Sequence, residues 1–171
     1  INVNDLEIKP EEKFTSESLI RGTAFKFKEL GYNIGGFKAY SHSDVLQGSG
    51  ISSSAAFEVL VGNIFNYLYN DGKVDRVTIA KIGQYAENNY FMKPCGLLDQ
   101  MACSVGGFVT IDFKDKENPI VEAIDFDFAH SDYALCLVDT KGSHADLSDE
   151  YGLMPFEMKE VAKVFNKEVL S

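Results

Sequence analysis

The sequence has 171 residues, 45% of them hydrophobic, with 13 Phe and 8 Tyr, which is enough for one domain with a real core and excludes a disordered chain. A net charge of −10 argues against a general nucleic-acid binder. No apolar run approaches the ~20 residues that span a bilayer, so no membrane segment is expected.

Cys95, Cys103 and Cys136 form an odd set without C-x-x-C spacing. They read as reduced thiols of a cytoplasmic protein, not as a disulfide framework or zinc site. His42, His130 and His144 lie far apart and read as ordinary polar residues. The chain opens on Ile1 with no signal-peptide pattern, and is expected to be a piece of a longer protein.

In chain order, residues 1–9 read as a weak strand or extended segment closed by Pro10. A helix is predicted from the Thr15-Ser16-Glu17-Ser18 cap, with Leu19, Ile20, Thr23, Phe27 and Leu30 at helical spacing and Gly31 as its stop. Residues 37–42 alternate apolar and polar and predict a strand. A helix over 54–69 carries almost no charge apart from Glu58, so it is expected to be mostly buried. Asp75 starts a further helix over 76–92, and Pro94 closes that segment. Residues 95–101 form a short element with one acid among apolar residues. Strands are predicted over 108–113, 120–128 and 133–139, the last an apolar run that reads as a central strand. The tail is expected to be helical after about Pro155. Runs of helices and runs of strands without strict alternation point to an α+β structure.

Between the first predicted strand and the buried helix lies Gly48-Ser49-Gly50-Ile51-Ser52-Ser53-Ser54-Ala55-Ala56. Glycines permit a close backbone approach, and the serines suit a helix N-cap. The first turn of a helix has unspent N–H groups and partial positive charge, so a glycine loop feeding a helix start can bind phosphate. A serine hydroxyl there can also ligate Mg²⁺. The plain alternative is a flexible turn ahead of a capped helix. Neither the P-loop pattern nor the G-x-S-x-G nucleophile elbow is present. Taken singly, Asp99 reads as a cap or ion-pair partner, Glu87 as a solvated helix charge and Tyr151 as a packing residue.

Together the motifs resemble a known family. The serine-rich loop resembles the phosphate loop of the GHMP small-molecule kinases, and its triple serine is similar to the galactokinase branch. Cys95-Gly96-Leu97-Leu98-Asp99-Gln100 resembles that branch's second landmark. Asp139-Thr140-Lys141 followed by Ser148-Asp149-Glu150-Tyr151 is a weaker third match. The resemblance implies a ribosomal-protein-S5-domain-2-like fold, with a mixed or antiparallel sheet and helices on one face. It implies one incomplete N-terminal GHMP kinase domain over 1–171, with a following domain starting near 148–171.

By the same resemblance, Gly48, Ser49, Gly50, Ile51, Ser52, Ser53 and Ser54 would bind the phosphates of ATP. Ser54 and Glu87 would hold Mg²⁺, Asp99 would be the catalytic aspartate, and Gly96, Asp99 and Tyr151 would contact the sugar. The implied reaction is phosphorylation of galactose at its C1 hydroxyl. Another sugar kinase of the family, such as one acting on N-acetylgalactosamine, or a non-catalytic regulator are the alternatives. The sequence departs from the family pattern at Ile51, which replaces the usual leucine, and it lacks the N-terminal stretch that provides most sugar contacts. The chain alone is therefore expected to be inactive or nearly so.

Overall fold

The structure, a computed structural model, describes residues 1–45, 50–115, 117–138 and 148–170, and of 148, 149 and 151 the backbone alone. Helix α1 spans Ser16–Glu29. Its N-cap Thr15 is extended, and its hydroxyl oxygen accepts from the Ser18 N–H at 3.4 Å. Leu19, Thr23, Ala24 and Phe27 fall on one side at helical spacing and are buried. Helix α2, Ser53–Tyr69, carries no charge but Glu58 and packs against α1 and the next two α-helices, leaving Leu60, Tyr67 and Leu68 exposed. Helix α3, Arg76–Ala86, starts at Asp75, whose carboxylate accepts from the Thr78 N–H at 2.9 Å.

Helix α4, Leu98–Val105, leads into strands β1, Phe108–Asp112, and β2, Ile120–Ile124. These strands pair antiparallel, with Phe108 opposite Ile124 and Asp112 opposite Ile120. Helix α5 spans Ser148–Val164. Helices with an antiparallel hairpin make the α+β arrangement that the sequence predicts.

Helix α3 is the centre of the packing and touches α1, α2 and α4. Phe27, Val59, Phe65, Ile79 and Ile82 form the core with Leu6, Val61 and Val74. Each large apolar side chain buried here contributes about 1.5–3 kcal/mol. Two close approaches let the helices meet. At Gly22 a Cβ would lie 2.9 Å from the Cα of Ala86, and at Gly83 it would lie 3.2 Å from the Glu58 side chain. The N-terminal segment is tied down by buried Arg21. Its guanidinium holds Glu12 through two bonds, Nε to Oε2 at 2.8 Å and Nη2 to Oε1 at 2.5 Å, and also donates to the Asp5 carbonyl.

Several predicted elements differ from those observed. Residues 1–9 form no strand, although Leu6 joins the core. Residues 37–42 and 133–138 form no ladder. Among the described residues they have no strand beside them, and an extended segment gains regular hydrogen bonds only from a partner. The last segment is therefore not a central strand: Val138 is 82% exposed. The strand predicted over 120–128 stops at Ile124, and residues 128–130 form a 3₁₀ turn capped by Asp127. The helix predicted over 76–92 widens after Ala86 into a π-turn, Glu87–Phe91. Helix α5 begins ahead of Pro155 and contains it: a proline removes one ladder bond without necessarily ending the helix.

Candidate active site

The start of α2, the π-turn after α3 and the first turn of α4 converge. Gly50 has φ 77° and Ser52 has φ 65°, so the backbone turns twice through the left-handed region before α2 begins. That conformation is free for glycine and uncommon for serine. Ser52 occupies the N-cap position, and its carbonyl accepts from the Ala56 N–H at 3.0 Å. Its side chain does not cap the helix, unlike the expectation for this serine run. The first-turn N–H groups of α2 thus keep their capacity for an outside acceptor.

One turn in, the Ser54 hydroxyl donates to Glu87 Oε1 at 2.9 Å. The π-turn brings this about: Glu87 is its first residue and its carboxylate is almost fully buried. π-turns of this kind recur at functional sites. The other carboxylate oxygen of Glu87 accepts from Gln100 Nε2 at 2.7 Å, and the same amide group lies 3.2 Å from Glu58 Oε2 and 3.5 Å from Cys95 Sγ. Glu58 and Gln100 are completely enclosed.

Two buried carboxylates this close cannot both be charged at small cost. Burial, then the charge of Glu87, push the Glu58 carboxyl up to about 9, so Glu58 is neutral at pH 7. As a carboxylate it would leave Oε1 buried without a donor; as an acid it carries a proton that Glu87 can accept. Burial and then the same Glu87 charge push the Cys95 thiol up, which keeps it protonated and unreactive.

Asp99 sits next to Gln100 on the first turn of α4 and is exposed where Gln100 is buried. The helix thus turns one residue inward to Glu87 and leaves its neighbour open to solvent. Gly96 is exposed, and nothing lies within 4 Å of where its Cβ would be. Ile51 is exposed and Ser53 half-buried beside Ser54. Gly48 and Ser49 lie outside the described residues, as do the segment 139–141 and the side chain of Tyr151.

Sequence reasoning missed Glu58, Gln100 and Lys93 as members of this cluster. Glu58, a lone acid in an otherwise uncharged helix, is the one signal that the sequence offers for this cluster. Among the described residues no three His, Cys, Asp or Glu side chains converge as a metal cage. Ser54 Oγ and Glu87 Oε1 nevertheless form an all-oxygen pair of the kind that suits Mg²⁺, which prefers one or two protein oxygens and fills its remaining positions with water and phosphate.

Residues 18–107 match the family model described as the GHMP kinases N-terminal domain. That is more than half of the chain. This chain belongs to the GHMP kinases.

The matched region of this GHMP kinase domain contains Ser54, Glu58, Glu87, Cys95, Asp99 and Gln100 together. Among similar curated proteins, the galactokinase of Clostridium tetani is 30% identical over 175 residues, covering 98% of this chain and 42% of that protein. The galactokinase of Pyrococcus furiosus is 30% identical over 167 residues, covering 92% of this chain and 46% of its own length. That of Streptomyces coelicolor is 34% identical over 134 residues, 77% of this chain and 34% of its own. The GHMP kinase chain thus spans less than half the length of these relatives. No helix among the described residues is long and apolar enough to cross a membrane.

Proposed function

We propose that this domain is the phosphate-binding part of a cytoplasmic sugar kinase that transfers the γ-phosphoryl group of ATP to the C1 hydroxyl of galactose. The observation that carries the reading is the Ser54–Glu87 hydrogen bond of 2.9 Å, which joins the serine-rich loop to a buried carboxylate beside the Asp99-Gln100 pair. Similarity to galactokinases over nearly the whole chain supports the substrate class.

In this reading residues 48–54 present backbone N–H groups and hydroxyls to the ATP phosphates at the start of α2. Ser54 and Glu87 hold Mg²⁺, which when bound offsets charge on the β- and γ-phosphate oxygens. Gln100 fixes the Glu87 carboxylate through Oε2 and leaves Oε1 toward Ser54. Asp99 accepts or orients the proton of the sugar hydroxyl, a poor nucleophile near neutral pH. Gly96, with open space around it, lets the sugar approach the backbone, and Tyr151 adds a sugar contact.

The test is ATP consumption with galactose against a panel of hexoses, in the natural protein that carries these residues and in its Asp99→Asn variant. Galactose-dependent turnover that falls about 10²–10⁴-fold in the variant supports the reaction and the role of Asp99. A preference for N-acetylgalactosamine would replace the substrate and keep the chemistry. ATP binding without turnover on any sugar would overturn catalysis in favour of a sugar- and nucleotide-binding regulator.

A further inference from the structure

The serine-rich loop contains no lysine or arginine, yet a site for a polyanion gains much from a fixed cation. The structure supplies one from another element. Lys93 Nζ lies 3.3 Å from Glu87 Oε1, the same oxygen that accepts the Ser54 hydroxyl at 2.9 Å.

This is a built contact. Met92 leaves the π-turn through the left-handed region at φ 63°, uncommon for a residue other than glycine. The turn is closed by the Lys93 N–H donating to the Glu87 carbonyl at 3.1 Å, and by the Cys95 N–H donating to Asn88 Oδ1 at 2.7 Å. Pro94 stiffens the link between them. The base of the Lys93 side chain is thereby held over the carboxylate it pairs with. Its side chain is 40% exposed where that of Glu87 is 3% exposed, so Lys93 stands at the solvent edge of the cluster.

We propose that Lys93 is a phosphate-binding residue of this site: its ammonium group contacts nucleotide phosphate bound at the start of α2, and meanwhile keeps Glu87 turned toward Ser54. The inference rests on the reading of this cluster as a nucleotide-phosphate site and adds the cation that the loop lacks. A lysine donates up to three hydrogen bonds. Pairing with one carboxylate oxygen leaves donors for phosphate oxygens that approach Ser54.

The experiment is a chemical-shift titration of the ¹⁵N-labelled 171-residue chain with ATP, in EDTA and then with Mg²⁺. Charge-assisted hydrogen bonds of this kind are worth about a tenfold or larger change in affinity. Lys93→Met is therefore expected to weaken metal-free ATP binding by about tenfold, while Lys93→Arg stays near wild type. Lys93→Gln repeats the charge loss with a polar side chain should the Met variant aggregate. Lys73→Met, which removes an exposed lysine paired with Asp71 beyond the far end of α2, should change nothing. Glu87→Gln removes a negative charge facing the phosphates and should tighten metal-free binding.

If Glu87→Gln shifts ATP affinity while Lys93→Met and Lys93→Gln bind as wild type, Lys93 only pairs with Glu87; the phosphate contact then fails and the nucleotide site stands. If wild-type chain shows no ATP-dependent shifts at the start of α2 up to millimolar nucleotide, with or without Mg²⁺, the nucleotide reading of this cluster fails and the inference with it.

Discussion

At the scale of single residues, the cluster is organised by one proton. Glu58 is an acid in a helix with no other charge, and it shares the amide of Gln100 with Glu87. In the unfolded chain its carboxyl ionises near the ordinary glutamate value of 4.5; in the folded chain burial and the Glu87 charge hold it to about 9. Between those pH values the folded state binds more protons than the unfolded state, so stability falls as pH rises, by at most about 1.4 kcal/mol per pH unit from this group. Glu58→Gln keeps a neutral polar side chain and removes the proton. Urea midpoints measured from pH 5 to 9 are therefore expected to decline more steeply for wild type than for the variant. Parallel declines would mean that Glu58 is already ionised in the folded protein. The same reasoning assigns Gln100 a distinct task. Gln100→Ala deletes the donor to two buried carboxyl groups and is expected to destabilise the fold by about 1–3 kcal/mol in thermal unfolding, more than an average surface change.

At the scale of elements, the site exists because three helices approach closely. Gly22 on α1 faces the backbone of α3, where an added Cβ would lie 2.8 Å from Tyr90 Cγ and 2.9 Å from Ala86 Cα. Alanine favours a helix interior over glycine by about 1 kcal/mol. Here a backbone atom stands in the way and the helices must move apart, a strain of typically 1–3 kcal/mol. Gly22→Ala is expected to lower the melting temperature by a few degrees, against the direction that helix propensity alone gives. A rise would show that α1 and α3 can separate freely.

Such approaches also mark what could be read from the sequence. Local signals were sufficient for the helices: Thr15 and Asp75 cap where a cap residue precedes a periodic apolar face, and the nearly uncharged α2 buries Ala55, Val59, Val61 and Phe65 though Tyr67 and Leu68 stay exposed. β1 and β2 fall within the strands expected over 108–113 and 120–128, although β2 ends where the apolar-acidic alternation of 124–128 begins. Alternation over 37–42 and the apolar run from Tyr133 both failed because a strand is defined by its neighbour, which no local pattern records. Within the site, Ser54 and Glu87 were legible as a pair only through resemblance, since 33 residues separate them. Gln100 belongs to the second motif, but its inward orientation depends on where α4 begins. Lys93 was not legible at all: a lysine before a proline reads as a loop charge until the left-handed turn at Met92 brings it back over Glu87.

At the scale of the whole molecule, two features oppose each other. The described surface exposes an apolar row at Leu135, Leu137 and Val138, and more apolar side chains along α5 and just after it, including Phe156, Val164 and Phe165. Exposed apolar side chains in such number promote association. The net charge of −10 works against it by mutual repulsion between copies. Range decides which dominates. Repulsion between exposed charges reaches over a Debye length, about 10 Å at 0.1 M salt and 3 Å at 1 M, whereas apolar burial needs contact and is not screened. The chain is therefore expected to stay monomeric at low salt and to self-associate as sodium chloride rises, as followed by sedimentation velocity at fixed protein concentration. Replacing Leu135→Glu together with Leu137→Glu should suppress the high-salt association while leaving the melting temperature nearly unchanged, because both side chains are already largely solvated. Association that instead weakens with salt would mean that charge pairs hold the copies together, and the apolar row would then have no part in it.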